Sequence, residues 1–491
     1  MEEDNNNNNN YINEKNYKTD ISYKYLKIYL KGKNNMEIKK VYDDYKSLIE
    51  KEITIKGWIR KHRKQKEISF IELSDGTCFK KLQVIYDKSI KNYDSITKIH
   101  FGSALKVTGI LKLSPVKDQL IELHAKKVEL LADCSEDYPI QPKPHSREFL
   151  REEAYLRPRT TLFQAVFRIR SITAMAIHKY FQDNGYIYLQ APIFTASDCE
   201  GAGEMFQVTT QDLEKIAKTG KVDYTKEYFQ KKVGLSVSTQ FEAETFAQAF
   251  TKTYTFGPTF RADPSHTPYH IAEFWQIEPE VAFCDLEGIM DIAEELMKYV
   301  IKYALKHAKD EMEYLDQFVE KDLIKKLKKV TKESFKRVTY KECIEILKKA
   351  PKKFVFEPKY GSDIAKEHEK YLTEYFSCPM FITYWPKEIK AFYMKHLEDG
   401  TVAGADLELP GIGEVFGMSQ REDDYDTLLK AMQKRNMKIE DYSWYLKLRK
   451  YGGVQTSGFG IGFERLLMYL TGIENIKDVT PYPRTVSNCE F

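Results

Sequence analysis

The sequence predicts an α+β protein, with a small β-barrel near the N-terminus followed by one large mixed domain. Two observations predict this arrangement. Between Ile53 and Leu131 the chain reads as short strand-like runs broken by turn residues. After Phe163, amphipathic helical stretches alternate with strand-like runs to the C-terminus. A length of 491 residues leaves room for two or three domains and a sizeable core.

Composition excludes several classes of protein. The net charge is only +3, from 76 basic and 73 acidic residues, so a nucleic-acid partner must be held by a local patch. No run approaches the roughly 18 apolar residues that span a membrane. The acidic start, Met1-Glu2-Glu3-Asp4, lacks the features of a secretory signal or a basic transit peptide. Seven scattered cysteines without a CxxC pair disfavour a disulfide framework and a zinc finger. These features predict a cytoplasmic protein with no membrane partner.

Residues 1–50 form an N-terminal extension rich in Asn, Lys and Tyr. The run Asn5–Asn10 has too little apolar surface to fold, which predicts disorder over residues 1 to about 15. Residues 16–50 are compatible with a solvated linker, which we favour, and with a helix around Tyr42–Leu48.

Residues 51–133 contain five strand-like runs. They are Ile53–Trp58, Ile68–Leu73, Leu82–Tyr86, Leu105–Leu113 and Leu120–Leu123. Five strands in about 80 residues favour a closed barrel such as the OB-fold, which often binds nucleic acid. One strand and its following loop carry the basic residues Lys56, Arg60, Lys61, Arg63, Lys64 and Lys66. Such a run is usually a solvated face, but with Phe70 as a stacking surface a single-stranded nucleic acid is an equally good interpretation.

Three prolines, Pro139, Pro142 and Pro144, mark a linker that we place at residues 134–158. The large domain then covers residues 159–491 and begins with an amphipathic helix, Phe163–Phe181. Lys-rich helices at about 286–350 look like a peripheral insert, with a core stripe of Leu286, Ile289, Ile292, Leu296 and Val300.

A predicted hairpin concentrates groups that bind charge. Arg261 ends one strand-like run, Tyr254–Phe260, and Phe274 starts the next. The hairpin would bring Arg261, His270 and Phe274 to one face, where an arginine fork suits phosphate and a phenyl ring suits a purine. Taken alone, the segment is better interpreted as a surface ion pair and a core Phe.

Two further stretches also suit a ligand that contains phosphate and a purine. Gly458, Gly460 and Gly462 alternate, so one strand face is bare, and Arg465 follows in the first turn of a helix, where a phosphate is favoured. Asp406 and Glu414 flank a Pro-Gly turn and can serve as Mg²⁺ ligands, although isolated carboxylates are more often solvated. Together these groups predict a site for ATP with Mg²⁺.

From about residue 52 to Phe491 the chain resembles the class II aminoacyl-tRNA synthetases. Within them it is most similar to asparaginyl-tRNA synthetases of the bacterial kind, in the subclass with aspartyl- and lysyl-tRNA synthetases. The segments that carry the resemblance are the helix and strand ending at Pro192, the Arg261–Phe274 hairpin, Gly458–Arg465, Ser197–Phe206, Tyr254–Arg261 and the C-terminal Pro483–Phe491. The resemblance implies an antiparallel six-stranded sheet, an OB-fold that reads the anticodon, and a homodimer through the motif ending at Pro192.

The resemblance also implies a reaction and a set of roles. L-asparagine and ATP would form asparaginyl-adenylate and pyrophosphate, and the asparaginyl group would then pass to the 3′-terminal adenosine of tRNA(Asn), with no DNA partner. For ATP, the implied residues are Arg261 at the α-phosphate, His270 and Arg465 at the β- and γ-phosphates, Phe274 on adenine, and Asp263 and Glu414. Mg²⁺ would be held by, or lie near, Asp406, Glu414 and Ser419. Asparagine would be bound by Glu200 (in a mobile lid), Gln240, Glu244 and Arg421. The anticodon would be read by Phe70, Gln83 and Glu122.

Some positions depart from the family pattern. Asp263 replaces Glu, Tyr269 replaces an Arg near the triphosphate, Met418 and Thr239 replace glycines, and Gln455-Thr456 replace Pro-His. Two rival functions remain: an aspartyl-tRNA synthetase and a non-catalytic RNA-binding relative. The aspartyl enzymes carry a Lys where this chain has Ala243, which favours asparagine.

Overall fold

The computed structural model describes residues 36–117, 119–199 and 205–491. The segment predicted to be disordered, residues 1–15, and the predicted lid residue Glu200 lie outside these ranges. The chain divides into two units, residues 1–145 and 146–491. Within the described ranges, no helix is long and apolar enough to cross a membrane.

The first unit contains a closed five-stranded barrel, as predicted. Its strands are β1 (Glu52–Arg63), β2 (Ile68–Ser74), β3 (Leu82–Asp87), β4 (Ala104–Leu113) and β5 (Ile121–Ala132). They pair in the order β1-β2-β3-β5-β4, and only the β3–β5 pair is parallel. Alternate residues such as Ile55, Ile71 and Val107 fill the interior and are fully buried, because successive side chains of a strand point to opposite faces.

The segment before the barrel is helical, so the favoured linker interpretation is wrong for its described part. Helices α1 (Ile38–Asp43) and α2 (Tyr45–Leu48) precede β1, and α3 (Tyr93–Lys98) follows β3. Ile38 and Val41 are fully buried in the same apolar cluster as the barrel interior. The backbone N–H of Ile38 also donates to Asp75 Oδ2 at 2.7 Å. A spacing of three residues between apolar side chains places both on one helix face, which the barrel then covers.

The second unit is built on an eight-stranded mixed sheet. The strands of this unit are β6 (Ile187–Leu189), β7 (Phe194–Thr195), β8 (Gln207–Val208), β9 (Val233–Leu235), β10 (Lys252–Phe260), β11 (Glu273–Ala282), β12 (Lys336–Thr339), β13 (Met380–Pro386), β14 (Thr401–Leu409), β15 (Gly413–Gln420) and β16 (Thr456–Gly462). The large sheet has the order β12-β13-β14-β15-β16-β11-β10-β6, while β7, β9 and β8 form a separate small sheet. The six central strands are antiparallel, as implied by the resemblance. The additional edge strands β6 and β12 are parallel to their neighbours.

Helices surround this sheet. They are α4 (Arg147–Glu152), α5 (Thr161–Asp183), α6 (Leu213–Thr219), α7 (Gln240–Phe250), α8 (Leu286–His307), α9 (Lys309–Phe318), α10 (Leu323–Val330), α11 (Tyr340–Lys348), α12 (Lys366–Phe376), α13 (Tyr425–Lys434), α14 (Ser443–Lys447) and α15 (Phe463–Thr471). Helix α8 starts at an N-cap, Asp285, whose side chain accepts from the N–H of Gly288 at 2.8 Å.

Helix α8 is not part of a peripheral insert. It packs along α5 and against β14, β15 and β16, so it covers the sheet. Four residues of the predicted stripe are buried, and Ile292 is half-buried. Helix α8 covers the sheet because an apolar helix face this long needs a partner surface, and the sheet is the available one.

The predicted linker contains structure that belongs to the second unit. Ser146 caps α4, and Arg151 donates from Nε and Nη2 to the two carboxylate oxygens of Asp478 at 2.8 and 2.7 Å. Asp478 is fully buried, and Arg157, also buried, lies 3.7 Å from it. A buried carboxylate needs such partners, so residues from Ser146 onwards are anchored to the C-terminal part of the chain.

Candidate active site

One face of the large sheet forms the floor of a cavity of about 750 Å³. Strand β11 contributes Phe274, Gln276, Glu278 and Glu280, which have the two-residue spacing of side chains on one face of a strand. The neighbouring strands β14, β15 and β16 contribute the remaining floor.

The glycines of β16 let polar side chains of β11 lie flat on the sheet. A Cβ atom on Gly458 would stand 2.1 Å from Glu280 Oε1, and one on Gly460 would stand 2.6 Å from Gln276 Nε2. Any larger residue at these positions would displace the two side chains. The bare strand face inferred from the sequence is therefore present, and much of it is covered by Gln276 and Glu280.

One end of the cavity is positively charged. Arg261, His270, Phe274 and Arg465 all line it, so the predicted hairpin brings its three residues together with the predicted helix residue. The Arg261 guanidinium carbon lies 5.3 Å from the centroid of the Phe274 ring, and Arg465 Nη1 donates to the carbonyl of Glu414 at 3.3 Å. Asp263 lines the same end.

The charge at this end also affects His270. Burial, followed by the nearby Arg465, Lys366 and Arg261, lowers the pKa of His270 below its usual range, while Asp263 opposes the shift. A group of cations that makes one imidazole harder to protonate is a site prepared for an anion.

A pair of carboxylates faces the cavity beside this positive end. Glu414 Oε1 and Asp406 Oδ1 lie 3.4 and 3.8 Å from the position of a hypothetical Cβ on Gly417, so both point to the same small region. The other oxygen of Asp406 pairs with the ammonium of Lys390. Burial raises the pKa of Asp406 to about 7, with Lys390 opposing the rise and Glu414 adding to it.

The pair fits Mg²⁺ in part. Mg²⁺ commonly takes one or two protein carboxylates and completes its coordination with phosphate oxygens and water. Across the described residues, no group of three or more His, Cys, Asp or Glu has a metal-binding arrangement. Ser419 does not join the two carboxylates: it is fully buried and accepts from Arg421 Nη1 at 2.6 Å. Its predicted place near the metal stays a prediction, because a hydroxyl oxygen that accepts one hydrogen bond keeps a second lone pair.

The other end of the cavity contains a network of buried amide and charged groups. Gln240 and Arg421 line the cavity. Arg421 donates from Nε to Glu280 Oε2 at 3.2 Å, and its Nη2 contacts the other oxygen. Burial raises the pKa of Glu280 to about 8, although Arg421 opposes the rise.

Glu244 binds residues of this network on the side away from the cavity. Its carboxylate accepts from Gln240 Nε2 at 3.0 Å, from the Tyr445 hydroxyl at 2.8 Å and from Arg449 Nη2 at 2.9 Å. It is not among the residues that line the cavity, so the structure does not show the predicted direct contact with a substrate amide. Gln240 and Arg421 occupy the intervening position. Ala243 is fully buried and brings no charge.

Sequence reasoning missed several residues of the site. Gln276 and Glu280 were detectable, because they continue the alternation that starts at Phe274. Lys390 has no signal in the sequence, since it reaches Asp406 only through the pairing of distant segments. Two of the residues that depart from the family pattern lie close to the site. The backbone N–H of Thr239 donates to Glu278 at 2.9 Å, and Met418 is buried beneath the cavity.

In the barrel unit, the three predicted anticodon residues are neighbours. Gln83 pairs with Glu122 across β3 and β5, and Phe70 lies on the adjacent strand β2. Arg63, from the basic run, lies with its guanidinium 5.4 Å from the Phe70 ring centroid and donates to Gln83 Oε1 at 3.3 Å. Glu122 is mostly buried and contacts His124 Nε2 at 2.8 Å. This surface combines a ring, an amide and positive charge, which suits nucleobases.

Comparisons with known proteins give a match for each of the two units. Residues 146–486 match the family model described as tRNA synthetases class II (D, K and N), and residues 53–131 match the OB-fold nucleic acid binding domain. The asparagine–tRNA ligase of Acholeplasma laidlawii is 52% identical over 462 residues, which cover 93% of this chain and 100% of that protein.

Solved structures give the same result. The asparaginyl-tRNA synthetase of Pyrococcus horikoshii, complexed with asparaginyl-adenylate, aligns with a TM-score of 0.80 and 31% identity over 90% of this chain and 97% of its own. The Entamoeba histolytica enzyme, also complexed with asparaginyl-adenylate, aligns with a TM-score of 0.80 and 26% identity over 93% and 99% of the two chains. The match spans nearly the whole chain and both units, and on this basis the chain belongs to the asparaginyl-tRNA synthetases of class II.

Proposed function

We propose that this chain attaches L-asparagine to tRNA(Asn), using ATP and forming asparaginyl-adenylate as the intermediate. The observation that carries the choice of amino acid is the network of Gln240, Glu244 and Arg421 beside an uncharged Ala243. An amide substrate can both donate and accept hydrogen bonds there. An aspartate carboxylate can only accept, and it would bring a negative charge into this buried network without the lysine that would balance it.

The first step needs positioning more than covalent chemistry. The asparagine carboxylate attacks the α-phosphorus of ATP in line, and pyrophosphate leaves. Arg261 is placed to stabilise the charge that develops on the α-phosphate, and Arg465 and His270 to hold the departing phosphates. Phe274, which lies under Arg261, provides a ring face for the adenine.

We place Mg²⁺ at Asp406 and Glu414. When bound, the ion would neutralise phosphate charge and orient the triphosphate. Asp406 Oδ1 and Glu414 Oε1 are the protein oxygens that would hold it, since both face the same region above Gly417. Lys390 balances the charge of Asp406 before the ligands arrive.

In the second step, the 3′-terminal ribose hydroxyl of the tRNA attacks the adenylate carbonyl, and AMP leaves. We assign recognition of the anticodon to Phe70, Gln83 and Glu122 on the barrel. Stacking on Phe70 and hydrogen bonding at Gln83 supply the two kinds of contact by which single-stranded RNA is read.

We also propose that the enzyme is a cytoplasmic homodimer. In the described part of the sheet, the short β6 is an end strand, and Ile187 and Tyr188 on it are 43% exposed. Apolar residues on an uncovered strand near Pro192 suit a second copy of the chain. Cys284, Cys343, Cys378 and Cys489 form no disulfide, which suits a reducing compartment.

Pyrophosphate exchange into ATP, measured with asparagine and with aspartate side by side, tests the proposed function. We expect strong exchange with asparagine and about 10⁴-fold less with aspartate, the discrimination available to a site built from specific hydrogen bonds. Exchange that prefers aspartate would make the chain an aspartyl enzyme. No exchange with either amino acid would favour the non-catalytic RNA-binding alternative.

A further inference from the structure

The positive end of the cavity offers two fixed cationic side chains to a triphosphate, which carries several negative charges. Arg261 and Arg465 are the two arginines that line it. His270 has a lowered pKa, so the free enzyme carries it mainly as the neutral imidazole at pH 7. Tyr269, which lines the same end, brings no charge. A further cation nearby would therefore matter to a ligand with several negative charges.

Lys366, the first residue of α12, lies at this end. Its Nζ is 6.0 Å from the centroid of the Tyr269 ring. It also lies 2.8 Å from the position of a hypothetical Cβ on Gly413. The next residue, Glu414, accepts from Arg465 through its carbonyl. Lys366 and Arg465 thus approach the same two-residue segment, and Lys366 contributes to the lowered pKa of His270.

Lys366 is held there by a contact that can be exchanged. Its Nζ donates to Glu369 Oε2 at 2.6 Å, and Glu369 is otherwise engaged by the N–H of Glu414 at 3.4 Å. The Lys366 side chain is 52% exposed and that of Glu369 only 9%, so the ammonium group stays in contact with water while the carboxylate is buried. A lysine with four flexible side-chain carbons can turn from Glu369 to a nearby phosphate, and the N–H of Glu414 then remains as a partner of the Glu369 carboxylate.

We infer that Lys366 binds the terminal phosphates of ATP, and the pyrophosphate that leaves, as a third cation beside Arg261 and Arg465. This assignment rests on the proposed function, because it concerns the same nucleotide site. Lys366 then acts on the triphosphate tail alone. It makes no contribution to adenosine or asparagine binding.

The test compares Lys366→Ala and Lys366→Arg with the unmodified enzyme in asparagine-dependent pyrophosphate exchange. For Lys366→Ala we expect the KM for ATP to rise about fivefold, the upper range for one half-exposed charge pair, with the KM for asparagine unchanged. Lys366→Arg keeps the charge and is expected to restore most of the affinity. In tRNA aminoacylation, inhibition by added pyrophosphate is expected to weaken in Lys366→Ala, whereas inhibition by AMP, which lacks the terminal phosphates, is not.

The matched control is Lys370→Ala, one turn further along α12, where Lys370 is 71% exposed and pairs with Glu374 at 3.9 Å. We expect no change in this variant. An unchanged KM for ATP in Lys366→Ala, an equal loss of AMP inhibition, or the same effect in Lys370→Ala would each overturn the assignment. If the unmodified enzyme shows no asparagine-dependent exchange, the proposed function itself fails, and the two failures are thereby distinguished.

Discussion

Replacing Glu244 by Gln tests how the enzyme selects asparagine. Glu244 is 2% exposed and is the hub of the network at the amino-acid end of the cavity. It orients Gln240, which lines the cavity, and pairs with Arg449. Gln has nearly the same shape, so the substitution removes the charge and replaces one acceptor oxygen by an amino group without opening a cavity.

The size of the effect follows from these contacts. Removing one partner of a buried ion pair costs about 3–5 kcal/mol, and a hydrogen bond to a charged group contributes about 1.5–3 kcal/mol. Gln keeps one acceptor, and Tyr445 still accompanies Arg449, 2.9 Å from its hydroxyl. We therefore expect a loss in the range of a hydrogen bond to a charged group, which lowers kcat/KM for asparagine by about 10- to 100-fold.

Pyrophosphate exchange measures this change directly. We expect the KM for ATP to stay constant, because the phosphate end of the cavity is formed by other residues. The preference for asparagine over aspartate should fall, since the variant site carries one negative charge less. Glu242→Gln makes the same chemical change two residues earlier on α7, outside this network, and is the matched control.

Two results would refute the reasoning. The first is a kcat/KM for asparagine within about twofold of the unmodified enzyme, which would mean that the network does not orient Gln240 or Arg421. The second is an equal loss in Glu242→Gln, which would point to general destabilisation of α7.

Four further expectations concern other parts of the molecule. Arg261→Lys should lower adenylate formation at least about tenfold, or about 1.4 kcal/mol, because lysine lacks the bidentate fork; near-normal exchange in a folded variant would contradict this. Phe70→Ala should weaken tRNA binding by about 1–3 kcal/mol and leave tRNA-independent exchange unchanged, and equal damage to both would indicate a structural Phe. ATP binding near pH 6 should be accompanied by proton uptake at His270, because burial and nearby cations lower the pKa of His270 in the free enzyme and the phosphate charge opposes this shift. Calorimetry in buffers of different ionisation enthalpy measures the uptake. If proton uptake is absent from the unmodified enzyme as well as from His270→Asn, the imidazole lies away from the phosphates. Asp478→Ala should lower the free energy of unfolding by about 3–5 kcal/mol in urea, because Arg151 and a second buried arginine would lose their carboxylate; a loss below about 1 kcal/mol would contradict it.

Local patterns in the sequence were enough for the barrel and for the positive end of the cavity. The barrel strands alternate apolar and polar residues along the chain, and Arg261, His270 and Phe274 lie within one hairpin, so their meeting needs only local geometry. The same holds for the buried residues of α8, whose helical spacing is visible without a structure.

Contacts between distant segments were decided by the tertiary structure alone. Lys390 pairs with Asp406, Arg421 with Glu280, and Lys366 approaches the cavity from α12, all through packing that has no trace in local periodicity. Ser419 shows the same limit, because the hydrogen bond that it accepts from Arg421, two residues further along the chain, is not visible in the sequence. The sequence by itself determines which groups an asparaginyl-tRNA synthetase has available, since composition and period are properties of the chain. Which of them face the substrate and which hold their neighbours depends on the balance of buried charges, and that balance exists only once the strands and helices have come together.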